Sequence, residues 1–494
     1  MVDDALQIPS SASTSSPTTS SCHSALYLPE ILAKIMSFSI YRPDTTKTNR
    51  WSRTPFTSKT NPPWVFLLVS KFWGTVALKT PWLWSTFIAR VPYTPRDRGI
   101  VDIPRMVDLH MICAKQEPLT LEMYWCGEHP TLIMRSVFLK LWAKQKQWED
   151  VRLYVALRMD RMWGKPATPE PASFMLRLND IPMLKRLDID ICPEPHVRSG
   201  KLVIGLGPAP LLETLSIGET TKFRIIPPSD LPTTDIFPKL TTISMSPKFL
   251  DQYFNCWKLL EATPHVEKLC LKCGQHFFHP RRTIALPKLQ HLVMNFDTVR
   301  PEEFLQHCYS PSLQRLELKQ CTDMFANLRT ALQSLPIKEL SVEVVDMGPY
   351  DPEYLVDFLQ AVGALRWLQI YDDTPTYSHM FAGLLNSLAI ALQPESSPEP
   401  LLSGLSSFEL RIRISSFFDE VGSGSIRSVI NVVQAFRRKC HTLFHLSVTM
   451  LHSDTRYSVF PFKDVEDMLC EDPEILECLS KDFVVTVNGK ILSK

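Results

Sequence analysis

The chain has 494 residues, too many for one ordinary compact core, so several domains or a repeat array are expected. Its 53 basic and 52 acidic residues leave a net charge of +1, which excludes the broad positive field that nucleic-acid binding requires. Hydrophobic residues make up 45% of the chain, ample for globular folding, yet no apolar run reaches the roughly 18 residues of a membrane span. The opening segment, "MVDDALQIPSSASTSSPTTSSCHS", is acidic and then rich in Ser and Thr. Without the basic start and apolar core of a signal peptide, it predicts an intracellular chain, cytoplasmic and/or nuclear, with residues 1–24 as a disordered tail. Twelve cysteines scattered through apolar segments fit reduced, buried thiols.

A helix signal follows. Pro29 suits a first-turn position, and Leu28, Ile31, Leu32, Ile35 and Phe38 recur at helical spacing. The polar stretch 42–63, "RPDTTKTNRWSRTPFTSKTNPP", reads as a flexible insertion. Next comes "LLVSKFWGTVALKTPWLWSTF", residues 67–87, which holds three of the chain's eleven tryptophans. Leu67, Leu68, Phe72, Val76 and Ala77 again fall at helical spacing, and Pro81 stops that helix. From about residue 100, "RMVDLHMICAKQE" and "TLIMRSVFLKLWAKQ" read as helices, each followed by an alternating segment, "PLTLEMYW" and "WEDVRLYVAL".

After residue 180 one motif recurs as "IPMLKRLDID", "APLLETLSIG", "FPKLTTISMS", "TPHVEKLCLK", "LPKLQHLVMN" and "SPSLQRLELK". Its prolines, Pro182, Pro210, Pro238, Pro264, Pro287 and Pro311, are 28, 28, 26, 23 and 24 residues apart. "LPIKELSVEV" is a copy one residue short, "VGALRWLQIY" lacks the proline, and "GLSSFELRIR" and "CHTLFHLSVT" are degenerate copies. Apolar residues stand two, five and seven positions after each proline, as in Leu184, Leu187 and Ile189, or Leu313, Leu316 and Leu318. Cys192 and Cys321 follow three residues later. This resembles the leucine-rich repeat, L-x-x-L-x-L-x-x-C. One short strand with one apolar face cannot bury itself, so successive strands must stack into a parallel sheet backed by helices or loops.

The N-terminal residues carry a second resemblance. "LPEILAKIMSF", a gap, and "LLVSKFWGTVALKTPWLWSTF" resemble the F-box, a small helical module. The matching positions are Leu28, Pro29, Ile31, Leu32 and Ile35, then Leu68, Val69, Ser70, Lys71, Phe72, Trp73 and Ala77, and last Pro81, Trp82 and Trp84. Ser70 stands where the family often has cysteine, and the 42–63 insertion replaces a short turn. An F-box ahead of an irregular leucine-rich array is similar to the large F-box families of mushroom-forming fungi. The resemblance implies an α/β chain, with a helical F-box over 25–90 and a solenoid of parallel strands and outer helices over 100–494. It implies a substrate adaptor that docks to a Skp subunit, and through it to a cullin, while its repeats bind a protein substrate. The adaptor-binding residues it points to are Leu28, Pro29, Ile31, Leu32, Ile35, Leu68, Val69, Lys71 and Trp73. Trp73 is expected inside the module, and Trp82 and Trp84 either in a core or at its join to the next domain. The alternative is a repeat scaffold with no link to ubiquitin.

Catalytic signatures are missing from the sequence. It has no G-x-x-x-x-G-K-[ST], G-x-S-x-G, H-E-x-x-H or strand-linked G-x-G-x-x-G, and a non-enzyme without cofactor is expected. Cys270, Cys273, His276 and His279 are good zinc ligand types in a spacing too compressed for a finger, so no metal site is expected. Arg281 and Arg282 read as a solvated loop, and Arg437, Arg438 and Lys439 as a basic helix end.

The remaining surface is the outward side of the strands. Period-2 alternation places there Lys185, Arg186, Asp188 and Asp190, then Glu267, Lys268 and Lys272. Further copies add Arg315, Glu317 and Lys319, then Arg366, Trp367, Gln369 and Tyr371. The expected substrate-binding residues are Trp367, Gln369, Tyr371, Arg315, Glu317 and Lys319, with the two aromatics as anchors. The mixed charge does not indicate a highly acidic or purely basic ligand. Because the eighth copy lacks proline, a shifted register that turns Trp367 into core is an equal expectation.

Overall fold

A computed structural model describes residues 28–40, 62–91, 103–127, 131–157, 175–193, 203–218, 221–226, 236–246, 250–272, 283–295, 301–321, 325–333, 335–344, 358–359, 362, 364–371, 386–390, 405–415, 431–432, 434–435, 443–451, 483–487 and 490–492. The expected tail at 1–24, residues 42–61 of the insertion, and Cys273, His276, His279, Arg281, Arg282, Arg437, Arg438 and Lys439 lie outside these residues. The chain divides into two compact units, residues 1–122 with 129–144 and residues 123–128 with 145–494.

The first unit begins with helix α1 (Pro29–Ser39), opened by its proline and by the extended backbone of Leu28. It packs Leu32, Ala33 and Met36 inward. The single helix expected across 67–77 is two: α2 (Phe66–Val69) and α3 (Lys71–Lys79). Ser70 makes the break. Its backbone is extended, and its Oγ accepts a hydrogen bond from the Trp73 N–H at 3.2 Å, so it caps α3. Pro62 and Pro63, the last residues of the expected insertion, belong to the turn that leads into α2.

Pro81 ends α3 as expected and opens a 3-10 turn, Pro81–Trp84, which runs into strand β1 (Thr86–Val91). Helix α4 (Ile103–Ala114), strand β2 (Leu119–Gly127) and helix α5 (Thr131–Trp142) follow in the predicted order. Helices α4 and α5 pack together, and Lys140 of α5 pairs with Asp108 of α4.

The second unit is built on one long parallel sheet. After a 3-10 turn at Gln145–Gln147 come β3 (Trp148–Leu157) and β4 (Met175–Leu178). Then follow β5 (Arg186–Pro193), β6 (Val203–Leu206), β7 (Thr214–Ile217), β8 (Lys222–Ile225), β9 (Thr242–Met245) and helix α6 (Leu250–Glu261). Strands β10 (Lys268–Lys272), β11 (Ile284–Ala285) and β12 (His291–Asn295) lead to helix α7 (Pro301–Gln306), β13 (Cys308–Tyr309), β14 (Arg315–Cys321) and helix α8 (Phe325–Leu332). The chain continues through β15 (Glu339–Val344), β16 (Trp367–Tyr371), β17 (Ser407–Ser415), β18 (Leu443–Leu451), β19 (Phe483–Val487) and β20 (Lys490–Leu492).

The main sheet runs β3-β5-β7-β9-β10-β12-β14-β15-β16-β17-β18-β19, all neighbours parallel, and β20 closes it antiparallel. The outer side is not helical throughout: in the earlier copies it is a second parallel ribbon, β4-β6-β8, and helices appear from α6 onward.

Two apolar rows cross the sheet in register. One runs Val151, Leu187, Leu215, Ile243, Leu269, Leu292, Leu316, Leu340, Leu368 and Phe408, each a paired neighbour of the next. All of these side chains are buried. The second row, two residues on, passes through Leu153, Ile189, Ile217, Met245, Leu271, Met294, Leu318, Val342, Ile370 and Leu410, and it too is buried.

The prolines have a common task. In each of the six copies the residue after next from proline donates its N–H to the residue before proline, closing a β-turn: Leu184 to Ile181 at 3.2 Å, Leu212 to Ala209 at 3.1 Å, Leu240 to Phe237 at 3.2 Å. Val266 to Thr263 at 3.2 Å, Leu289 to Leu286 at 3.1 Å and Leu313 to Ser310 at 3.1 Å complete the set. Proline presets φ at the second position of such a turn, and the turn aims the next strand. The eighth copy keeps the same bond without proline, Leu365 to Val362 at 3.2 Å, so its register is not shifted.

Leu316→Asp puts an unpaired charge into the first apolar row and is expected to cost about 3 kcal/mol or more. Gln290→Ala, on an exposed turn position, should cost about 0.5 kcal/mol or less in the same denaturant melts. Equal losses would show that the alternation of the strands is misassigned.

Candidate functional site

Two surfaces stand out, one on each unit. On the first, α1 carries more apolar side chains than its packing consumes. Leu28 is 51% exposed, Ile31 44%, Ile35 41% and Phe38 82%, and the spacing i, i+3, i+7, i+10 sets them on one stripe beside the buried one. At the end of α2, Leu68 and Val69 are 67% and 53% exposed. Pro29 and Lys71 are exposed as well.

Two of the expected adaptor-binding residues lie elsewhere. Leu32 has no exposed surface and belongs to the core of the unit. Trp73 is half-buried, its ring 6.2 Å from that of Phe66. Phe38 was part of the same periodic pattern, and only its exposure distinguishes it from core. The other tryptophans divide: Trp84 is fully buried with its indole N–H donating to the Ala77 carbonyl at 2.8 Å, while Trp82 is 40% exposed.

Behind Trp84 lies His110 of α4, 1% exposed and boxed by the rings of Phe87 at 5.0 Å, Trp84 at 5.4 Å and Trp64 at 6.2 Å. It borders a small cavity with Ile40, Pro62, Pro63 and Ile88. Burial lowers its pKa to about 3, and the nearby backbone at Trp84 and Thr86 opposes that shift without reaching hydrogen-bond geometry. The folded ring stays neutral where the unfolded chain, near 6.5, takes up a proton. Its contribution is therefore complete above pH 6.5 and is lost as pH falls toward 3. His110→Leu should flatten the acid side of the stability profile of the first unit in that window; an unchanged slope in pH-dependent melts would contradict the assignment.

The second surface is the open face of the long sheet, where residues alternate with the leucine rows. Strand β14 places Arg315, Glu317 and Lys319 there, and β16 places Trp367, Gln369 and Tyr371, with β15 between them. All six expected substrate-binding residues thus share one face. The even choice over Trp367 is decided: Leu368 and Ile370 are the buried pair, and Trp367 is half-buried on the open side.

Much of this face is engaged within the chain. The Arg315 guanidinium sits 5.7 Å above the Trp367 ring, so that tryptophan is not the bare anchor expected. Ser341 donates its hydroxyl to Gln369 Oε1 at 2.7 Å. Asp188, expected outward, is 8% exposed and accepts the Tyr154 hydroxyl. Lys185, Glu267 and Arg366 occupy the turn row ahead of the strands, where their carbonyls bind the N–H groups of the next copy.

Sequence reasoning missed His291 and Val293, which occupy the same repeat offsets in the fifth copy. His291 matters most. Its Nε2 lies 2.9 Å from Glu317 Oε1, and Arg315 reaches the same carboxylate at 2.8 Å. The His291 hydrogen bond first, and then the Arg315 guanidinium, hold the Glu317 carboxyl down to about 2 against partial burial. Since the unfolded carboxyl titrates near 4.5, this stabilisation is complete above pH 4.5 and fades as pH falls through 2. Glu317→Gln should lower the neutral-pH melting temperature of the repeat unit and shrink its loss between pH 4.5 and 2. An identical acid profile would place the origin of that loss elsewhere.

Among the described residues, no cluster of three or more His, Cys, Asp or Glu side chains is placed to hold a metal ion, and no helix is long and apolar enough to cross a membrane.

Turn, five-residue strand and return, stacked so that leucines form continuous rows, define the second unit as a leucine-rich-repeat-like solenoid in an α/β chain. No family model matches the sequence, and no curated protein matches it. Among solved structures, the chain is similar to one described as the crystal structure of a TLR13–ssRNA13 complex, at 12% identity and a TM-score of 0.31, over 66% of this chain and 38% of that one. The chain thus spans well under half the length of that neighbour.

Proposed function

We propose that this chain is a substrate-recognition adaptor of a Skp–cullin ubiquitin ligase, in which the N-terminal helices dock to the Skp subunit and the repeat face holds a protein substrate. The observation that carries the reading is the exposed stripe of Leu28, Ile31, Ile35 and Phe38 on α1. A helix of eleven residues that buries Leu32, Ala33 and Met36 on one side has no folding reason to keep Ile31, Ile35 and Phe38, with Leu28 at its cap, in water on the next. An amphipathic helix laid into a partner's groove gives one, with anchors at the i, i+3, i+7 spacing seen here. The resemblance to the F-box, from Leu28 to Trp84, supports the Skp subunit as that partner. Ubiquitin transfer belongs to other subunits, and this chain contributes position and effective concentration.

Ile31→Asp combined with Ile35→Asp tests the reading, because both side chains are exposed and the module should remain folded. The expected result, by calorimetry with purified Skp subunit, is a loss of affinity of about tenfold or more, as for removal of hot-spot anchors worth roughly 2 kcal/mol. Unaltered affinity, or no binding by the unmodified chain, overturns the adaptor assignment and leaves a repeat scaffold without ubiquitin linkage.

A further inference from the structure

We propose that the part of the open face formed by β10, β12 and β14 binds a short acidic, extended segment of a partner protein. The inference rests on the reading that the repeats hold a protein, and it names the chemistry of what they hold. The three strands are consecutive in the sheet, and their register sets Lys268, His291 and Arg315 in one row and Lys272, Asn295 and Lys319 in another. Between these rows run Cys270, half-buried, Val293, 5% exposed, and Glu317, so the middle of the patch is an apolar floor on β10 and β12 ended by one carboxylate on β14, with basic margins.

The carboxylate on this patch is already used. Glu317 is held by His291 and by Arg315, and Arg315 also lies 3.6 Å from Glu339. Among the described residues, Lys268 and Lys319 have no such counter-charge, and Lys268 and Lys272 are exposed. What the patch offers a ligand is therefore Lys268 and Lys319, with its acid paired internally. Complementary charge steers encounter and selects against a basic partner. Alternate residues of an extended chain point the same way, so one such segment presents carboxylates to the margins and an apolar side chain to the Cys270–Val293 floor.

The neighbouring strands limit the ligand. On one side β9 contributes only Thr242 and Ser244 to this face, and on the other β15 contributes Glu339 and Glu343. That acidic strand repels a long polyanion, and the aromatic residues of β16 lie beyond it, with Trp367 under Arg315. A nucleic acid needs a continuous basic track and free stacking rings. A short acidic peptide needs neither.

The test uses the full chain and fluorescence polarisation with three labelled probes: a peptide of alternating glutamate and valine, its lysine–valine counterpart, and a single-stranded RNA of matched charge. The glutamate peptide should bind, weaken with added salt, and lose about tenfold in affinity in Lys268→Glu combined with Lys319→Glu, the range seen when charge complementarity is reversed. Lys239→Glu, on an exposed turn away from the face, should leave binding unchanged. Unchanged melting temperatures in both variants separate lost recognition from lost folding. Equal binding of both peptides, indifference to the double substitution, or preference for the RNA overturns the proposal. Skp-subunit binding is measured on the same samples, so failure at α1 and failure at the sheet face are read independently.

Discussion

The second unit depends on one constraint: a strand of four or five residues cannot remove its own apolar face from water. A buried leucine is worth roughly 1.5–3 kcal/mol, but only when neighbours cover it, and here the neighbours are the equivalent leucines of the copies on either side. That is why Leu292 pairs with Leu269 on one flank and Leu316 on the other, with no slip. A one-residue slip would turn every leucine outward. The proline turns serve the same end. By closing the bond from Leu313 to Ser310, for example, they fix where each strand starts relative to the last.

Register that serves the core also dictates the open face. Each side chain there meets its counterparts about 4.8 Å away on adjacent strands, close enough for ionic and polar groups to pair across copies. His291, Glu317 and Arg315 come from two strands, and Ser341 and Gln369 from two more. His291 is 26 residues from Glu317, and Ser341 is 28 from Gln369, so these bonds form only once the strands pair. The consequence is subtractive: residues that bond within the face are structural.

The first unit shows the opposite imbalance. Its small core is filled by Leu32, Met36, Leu83, Trp84 and the ring of His110, and the stripe from Leu28 to Phe38 is surplus to it. A buried imidazole among aromatic rings adds a titrating element to that core. Among the described residues the protonated form has no counter-charge there, so the packing that holds Trp84 also keeps His110 neutral.

The sequence alone determined the elements that local chemistry governs. Pro29 and Pro81 marked helix boundaries, the proline offset marked the strands, and the spacing of leucines marked which residues of each strand face inward. These are rules of short range, and they held from Pro182 to Leu318. Tertiary structure alone decided the rest. Ser70 divided one periodic stretch into two helices, because a cap depends on backbone angles rather than on hydrophobic period. Leu32 and Ile31 are adjacent, similar and matched by the same motif, yet one is core and the other surface, since that choice rests on what packs against the helix. Trp367 was ambiguous until the bond from Leu365 to Val362 set its strand. Which of the face's charges are satisfied was likewise invisible, for pairing across strands 24 or 26 residues apart is fixed only when the sheet has formed.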